Sequence, residues 1–245
     1  MDSGFYAACT GLLAKTDALE LAANNLANVS TTGYKSGMEF YRSLTASMSG
    51  RHLSPLNQAV NDYGVLGGAV VDMTKGELAR TGNDLDLALE DSGFFAVQTP
   101  AGVRYTRNGS FHTDASGRLM TSTGNPVLGE VGPITLPGGT ISISSDGTIS
   151  QQGAVVASLK LVTFAPGTSL LPEGNSLFSA PQGSERPDGD ARLSQGMLES
   201  SNQNPVVGAV SLMALQRHAA LLQRALSIFH TTFNGTAAQE LPKVS

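Results

Sequence analysis

Near the C-terminus, Leu212, Leu215, Ala219, Leu222, Leu226, Phe229 and Phe233 follow one another at alternating steps of three and four. That spacing puts them on one stripe of a helix, the seam geometry of a coiled coil. Asn204-Pro205 gives the start, a side chain able to cap followed by a residue fixed near helical φ. Asn234-Gly235 predicts the stop. Such a helix would be about 40–45 Å long, more than a small globular core covers, so it calls for a partner of similar length.

The other end of the chain supplies one. Phe5, Ala8, Leu12, Leu19, Ala22, Leu26 and Val29 repeat the rhythm, with Lys15 as its one interruption. A lysine there costs stability but can fix register while its ammonium reaches water. The first helix is expected from about Ser3 to Asn28, breaking in Ser30-Thr31-Thr32-Gly33, where hydroxyls compete for backbone hydrogen bonds.

Between the ends the period changes. Tyr34 to Met48 is ambiguous, with Phe40, Leu44 and Met48 spaced as one face of a short helix. Arg51 to Gly68 is expected to be an extended connector. Leu85, Leu87 and Leu89 alternate with Asp84, Asp86 and Glu90, predicting a half-buried strand with an acidic outer face. Pro100-Ala101-Gly102, Asp114 to Gly117 and Ser145-Asp146-Gly147 mark turns. Asn108-Gly109 predicts a type I′ hairpin joining Val103–Arg107 to Ser110–Thr113. Further strands are expected at Ile141–Ile143, Thr148–Gln151 and Ser158–Phe164, and Leu170 to Arg192 is expected to be a loop region. The fold class expected is α+β: N- and C-terminal helices paired as a coiled coil, with an antiparallel β domain inserted between them. The expected division is 1–35 plus 203–245 as a discontinuous helical domain, 36–68 as connector and 69–202 as the β-rich domain.

Composition narrows the function. Charged residues make up 14% of the chain, the net charge is −5, and there is no Lys/Arg cluster, which argues against nucleic acid as a partner. No unbroken apolar run approaches the ~18–20 residues of a membrane span, so no membrane insertion is expected. The start Met-Asp, with Lys15 inside the apolar stretch, lacks the pattern of a secretory signal. Cys9 is the single cysteine. His52, His112, His218 and His230 show no metal-ligand spacing. Asp188-Gly189-Asp190 lacks the later Glu of a calcium loop, and Gly64 to Gly68 lacks the Lys-Ser/Thr of a phosphate cradle. No catalytic residue, cofactor or metal is expected. Alternatives from other classes are a β-rich hydrolase using Asp84, Asp86 or Glu90, which requires those carboxylates to converge, and a binding module with a helical dimerisation stalk.

The stretch Ala22-Ala23-Asn24-Asn25-Leu26-Ala27-Asn28-Val29-Ser30-Thr31-Thr32-Gly33-Tyr34-Lys35 resembles the N-terminal signature of the flagellar axial proteins (rod, hook and hook-associated). Ser92-Gly93-Phe94-Phe95-Ala96-Val97, with Tyr105-Thr106-Arg107-Asn108-Gly109-Ser110-Phe111, resembles their middle domain. Gln195-Gly196-Met197-Leu198-Glu199-Ser200-Ser201-Asn202, with Met213 to Arg217, resembles the C-terminal signature of rod proteins. After Arg217 the family usually continues Ala-Tyr, where this chain has His218-Ala219. The motif positions carried over are Asn24, Asn25, Leu26, Asn28, Gly33, Gly93, Phe94, Phe95, Gly109, Phe111, Gly196, Glu199, Ser201 and Asn202.

The resemblance implies a structural subunit of the flagellar basal-body rod, proximal rather than distal. It would leave the cell through the flagellar export apparatus without a cleaved signal peptide and assemble with copies of itself and other axial proteins. Leu12, Leu19, Leu26, Leu212, Leu215, Leu222, Leu226 and Phe229 are the positions expected to pack between subunits.

Overall fold

A computed structural model of the chain describes residues 2–42, 65–189 and 191–240. The expected connector between residues 43 and 64, the Leu44 and Met48 part of the short helical face, His52 and Asp190 lie outside the described residues. The chain divides into a helical unit of residues 1–27, 37–70 and 205–245 and a β unit of residues 28–36 and 71–204. Residues 28–35 thus belong with the β unit, not with the terminal helix that precedes them.

In the helical unit, α1 spans Asp2–Ala27 and α2 spans Pro205–Glu240. The two helices pack on each other, and α1 also packs on β1, Gly37–Arg42, which pairs with β2, Val65–Val71. A strand at Gly37–Arg42 replaces the short helix that Phe40 suggested. Its entry is fixed by Asn25, whose side chain donates to the Gly37 carbonyl at 2.8 Å and accepts from the Gly37 N–H at 2.9 Å. Helix α2 does not stop at Asn234-Gly235 but continues to Glu240. One interior glycine costs only about 1 kcal/mol, and Ala237, Ala238, Gln239 and Glu240 beyond it are good helix formers.

The β unit begins with short strands β3 (Leu78–Arg80) and β4 (Leu87–Leu89), then the hairpin β5 (Phe94–Thr99) and β6 (Gly102–Thr106). The expected turn at Pro100-Ala101-Gly102 closes it, with Thr99 opposite Gly102. Two smaller hairpins follow at the other expected turns. Strands β7 (Phe111–Thr113) and β8 (Leu119–Thr121) flank Asp114–Gly117, and β9 (Ile141–Ile143) and β10 (Thr148–Gln151) flank Ser145-Asp146-Gly147. Strands β11 (Ala154–Ser158) and β12 (Leu161–Phe164) come next.

The region Leu170–Arg192, expected to be loop, contains β13 (Leu171–Gly174), β14 (Leu177–Ser179) and β15 (Glu185–Pro187). These short strands extend a six-stranded sheet ordered β13-β14-β6-β5-β12-β15. Pro172 and Pro187 lie on its two edge strands, where the missing N–H does no harm and discourages further pairing. Finally β16 (Leu193–Gln195) pairs with β4 and β17 (Met197–Glu199) with β3.

Strand β5 organises the core. Phe95 and Val97 enter a large apolar cluster with Leu87, Phe111, Leu119 and Ile149, while Phe94 and Ala96 enter a second with Tyr105, Val162 and Phe178. Burial on both faces explains the unbroken apolar run Phe94–Val97. The Phe95 and Phe111 rings meet edge-on at 5.1 Å.

Two expectations fail here for identifiable reasons. The Asn108-Gly109 dipeptide does not make a hairpin: β6 pairs with β5 and β14, and β7 pairs with β8. Gly109 instead lets two backbones touch. Its carbonyl accepts from the Leu87 N–H at 3.0 Å, and an added Cβ would lie 1.7 Å from the Leu87 oxygen. The acidic outer face of the Leu85–Leu89 strand is also incomplete. Asp84 and Glu90 are exposed, but Asp86 is buried and accepts from Asn83 Nδ2 at 3.2 Å.

Candidate functional site

Two features stand out, one in each unit: the faces of the long helices, and a buried cluster of charged side chains.

On α2, the predicted seam residues Leu212, Leu215, Ala219, Leu222 and Leu226 are all half-covered, while the residues between them are mostly exposed. Phe229 and Phe233 continue the same spacing along the helix axis. A second apolar set, Val206, Val210, Met213, Leu221 and Ile228, is 51–70% exposed. It also recurs at near-heptad steps, on a different side of the helix. The window Pro205–Ile228 has a mean hydropathy of 1.3 and only 11% of it is buried, enough to cross a membrane by length and composition. The absence of a long unbroken apolar run had pointed the other way. That window is interrupted by Gln216-Arg217-His218 and Gln223-Arg224, and each arginine near a bilayer centre costs about 2.5–3.5 kcal/mol.

On α1 the fully buried positions are Gly11, Ala18 and Asn25, spaced by seven. Leu12, Leu19 and Leu26, the expected seam, flank that line and are half-covered. The covered edge therefore sits one residue from the expected one, because small residues rather than leucines take the tightest line.

The charged cluster gathers segments far apart in sequence. Glu199 and Lys35 each have a side chain 1% exposed, and Arg107 one 3% exposed. Glu199 Oε1 accepts from Lys35 Nζ at 2.6 Å and from the Gly76 N–H at 2.9 Å; Oε2 accepts from Arg107 Nε at 2.9 Å. Lys35 Nζ also donates to the Thr74 carbonyl at 2.6 Å. Arg107 Nη1 donates to the Asp91 and Gly93 carbonyls, and its guanidinium lies 5.8 Å from the Phe94 ring centre. The Glu199 carbonyl accepts from the Gly33 N–H at 2.7 Å.

Asn202 completes the arrangement. Its Oδ1 accepts from the Ser36 N–H at 2.8 Å, and its Nδ2 donates to the Asp72 carbonyl at 2.8 Å and to Thr74. Among the described residues no buried side-chain nitrogen or oxygen lacks a partner. Buried charges are tolerated on those terms.

This geometry gives a role to most of the motif positions. Gly33 has φ +63°, and a Cβ there would lie 2.4 Å from the Asn108 nitrogen. Gly196, with φ +75°, turns β16 into β17, and its carbonyl accepts from Thr81 and Gly82. A Cβ on Gly93 would meet the Asp188 carboxylate at 2.5 Å. Asn28 accepts from the Thr31 hydroxyl, and Ser201 from the Gln203 N–H. Asn24 is exposed on α1 and Leu26 half-covered, so neither joins the cluster. Lys35, Arg107 and Gly76 are the members that sequence reasoning did not select. The signal available was a lysine and an arginine inside apolar motifs of a chain with few charges.

The carboxylates of the hydrolase alternative do not converge. Asp86 is held by Asn83, and exposed Glu90 accepts from the Ser194 hydroxyl. Among the described residues no group of three or more His, Cys, Asp or Glu side chains is placed to hold a metal.

Burial alone would raise the Glu199 carboxyl. The Arg107 charge and the hydrogen bonds from Lys35 and Gly76 outweigh it, leaving the group below its ordinary 4.5. Burial likewise lowers the Lys35 ammonium, against the pull of Glu199. A carboxyl with a depressed folded pKa stabilises the fold fully above its unfolded value, and the contribution is lost as pH falls through the folded value. The β unit is therefore expected to weaken in acid below about pH 4.5, and Glu199→Gln to flatten that decline. Urea midpoints of both proteins across that range measure it. The lowered Asp114, Asp146 and Glu173 carboxyls account for the slope that remains. An equally steep decline in the variant would assign the effect elsewhere.

The two features lie in stretches that match known proteins. Residues 5–35 match the family described as flagella basal body rod protein, and residues 88–156 match the flagellar hook protein FlgE/F/G D1 domain. The flagellar basal-body rod protein FlgF of Caulobacter vibrioides is 35% identical over 89% of this chain and 89% of its own length. FlgF of Escherichia coli K12 is 33% identical over 93% and 94% of the two chains. FlgG, the flagellar basal-body rod protein of Buchnera aphidicola subsp. Acyrthosiphon pisum, is 32% identical over 96% of each.

Proposed function

The chain belongs to the flagellar basal-body rod proteins, and from that premise we propose that its terminal helices polymerise it into the proximal part of the rod. It is a structural subunit of the flagellar basal body, not an enzyme, and it assembles with itself and with other axial flagellar proteins. In the finer reading the helices pair as a coiled coil and form the inner layer of a helical tube, around the channel through which later subunits pass. The β unit forms the outer layer. The tube transmits torque. The subunit reaches its place through the flagellar export apparatus, keeping its N-terminus.

One observation carries this reading: the second apolar stripe on α2, exposed from Val206 to Ile228 in the single chain. Such a surface demands cover. A helix already packed on α1 along one side, with a second stripe elsewhere, makes two different contacts. Contacts between unlike faces propagate rather than close, giving a helical assembly. A two-fold stalk, the binding-module alternative, would leave one stripe exposed.

The reading is tested by imaging basal bodies in cells whose only copy carries a small tag in the exposed loop around Val131, a residue fully open to solvent. Density next to the membrane-proximal rod is expected. Density confined to the distal rod would move the subunit outward, and its absence from the basal body would end the assignment.

A further inference from the structure

We propose that the Glu199 cluster is a mechanical clasp, holding together in the β unit the chain segments through which torque enters it. The inference rests on the rod reading, and goes beyond it by naming the residues that take the strain. The chain passes between the two units four times, at residues 27/28, 36/37, 70/71 and 204/205. Three of the adjoining β-unit segments bind one another directly. The Ser36 carbonyl accepts from the Asp72 N–H at 2.8 Å, the Ser36 N–H donates to Asn202, and Asn202 donates to the Asp72 carbonyl. Lys35 and the Gly33 N–H bind Glu199, and Gly76 binds the same carboxylate. The segment that follows the 27/28 crossing is thereby anchored as well, at Gly33.

Arg107 ties this junction to the interior. It joins Glu199 to the Asp91 and Gly93 carbonyls at the head of β5, the strand buried on both faces. Without the clasp, each crossing would be a lone strand leaving the sheet, able to peel one hydrogen bond at a time. With it, the segments come away only together. A network in which every member is satisfied fixes one arrangement. An apolar cluster of the same volume could match its stability without that specificity, so placement at the crossings, rather than burial, is what points to the role.

The test uses two variants of the full chain, each as the only copy in the cell. Lys35→Met keeps the volume and removes a charge. Asn202→Ala removes hydrogen bonds and no charge. In the purified proteins, amides of residues 33–36 and 72–76 are expected to exchange about tenfold faster than in wild type, with those of Phe95–Val97 unchanged. In motors, speed at low load should match wild type, while torque near stall falls or hooks are shed in viscous medium. Wild-type torque at stall, or unchanged exchange at the clasp, overturns the proposal. So does equal impairment at every load with the variants missing from basal bodies, which makes the cluster a folding or assembly element. If Lys35→Met does not fold, Asn202→Ala decides. Absence of the wild-type subunit from basal bodies removes the rod reading instead, so the two failures are distinguishable.

Discussion

Glu199→Ala is expected to destabilise the β unit by about 3–5 kcal/mol, the usual cost of removing one partner of a buried ion pair. Coulomb attraction lost is the smaller part of that figure. Lys35 Nζ and Arg107 Nε, each almost wholly buried, would be left charged with no counter-ion, and the Gly76 N–H would lose its acceptor. The chain has no tryptophan, so far-UV circular dichroism in urea, together with amide exchange on β5, is the suitable readout. Adding Lys35→Met to Glu199→Ala should recover part of the loss, because one stranded charge disappears. Recovery cannot be complete, since Arg107 still lacks its counter-ion. A loss below about 1 kcal/mol would mean that water reaches the cluster and that it is not buried in solution.

How far all this was legible depends on the range of the interaction concerned. The half-covered stripe on α2 could be read because a helix repeats itself every few residues, and Leu212 through Leu226 carry that repeat without any partner needing to be known. The turns at Pro100–Gly102, Asp114–Gly117 and Ser145–Gly147 could be read because turn chemistry is local. Gly109 misled for the opposite reason. Its lack of a side chain serves contact with Leu87, 22 residues earlier, and nothing in the dipeptide distinguishes that need from a turn. Likewise Gly235 is absorbed by the favourable residues on both sides of it. The strands between Leu171 and Pro187 are stabilised by β6 and β12 rather than by their own pattern, so polarity and prolines hid them. Lys35 and Glu199 lie 164 positions apart. Only the motifs around them hinted that they meet.

The other large effect concerns the helices, where two pairs of substitutions should separate folding from assembly. Leu222→Asp with Leu226→Asp places charges on the half-covered seam. Each side chain contributes at most about 1.5–3 kcal/mol when fully buried, and these are only partly covered in the single chain, so the purified variant should lose part of its helicity and build no rod. Val210→Asp with Ile228→Asp alters the exposed stripe instead. Both side chains are more than half open, 59% and 57%, and surface substitutions usually shift stability by no more than about 0.5 kcal/mol. Helicity and melting of that monomer should therefore match wild type. In a rod the same stripe lies against a neighbour, where a desolvated carboxylate has no partner, so cells carrying only this variant should be non-motile and lack the structures built beyond the rod. The measurement pairs circular dichroism of the monomer with motility and imaging of basal bodies. A motile Val210→Asp/Ile228→Asp strain with complete rods would show that the exposed stripe stays in solvent after assembly, and α1 would then have to provide the lateral contact, through its own exposed Leu13.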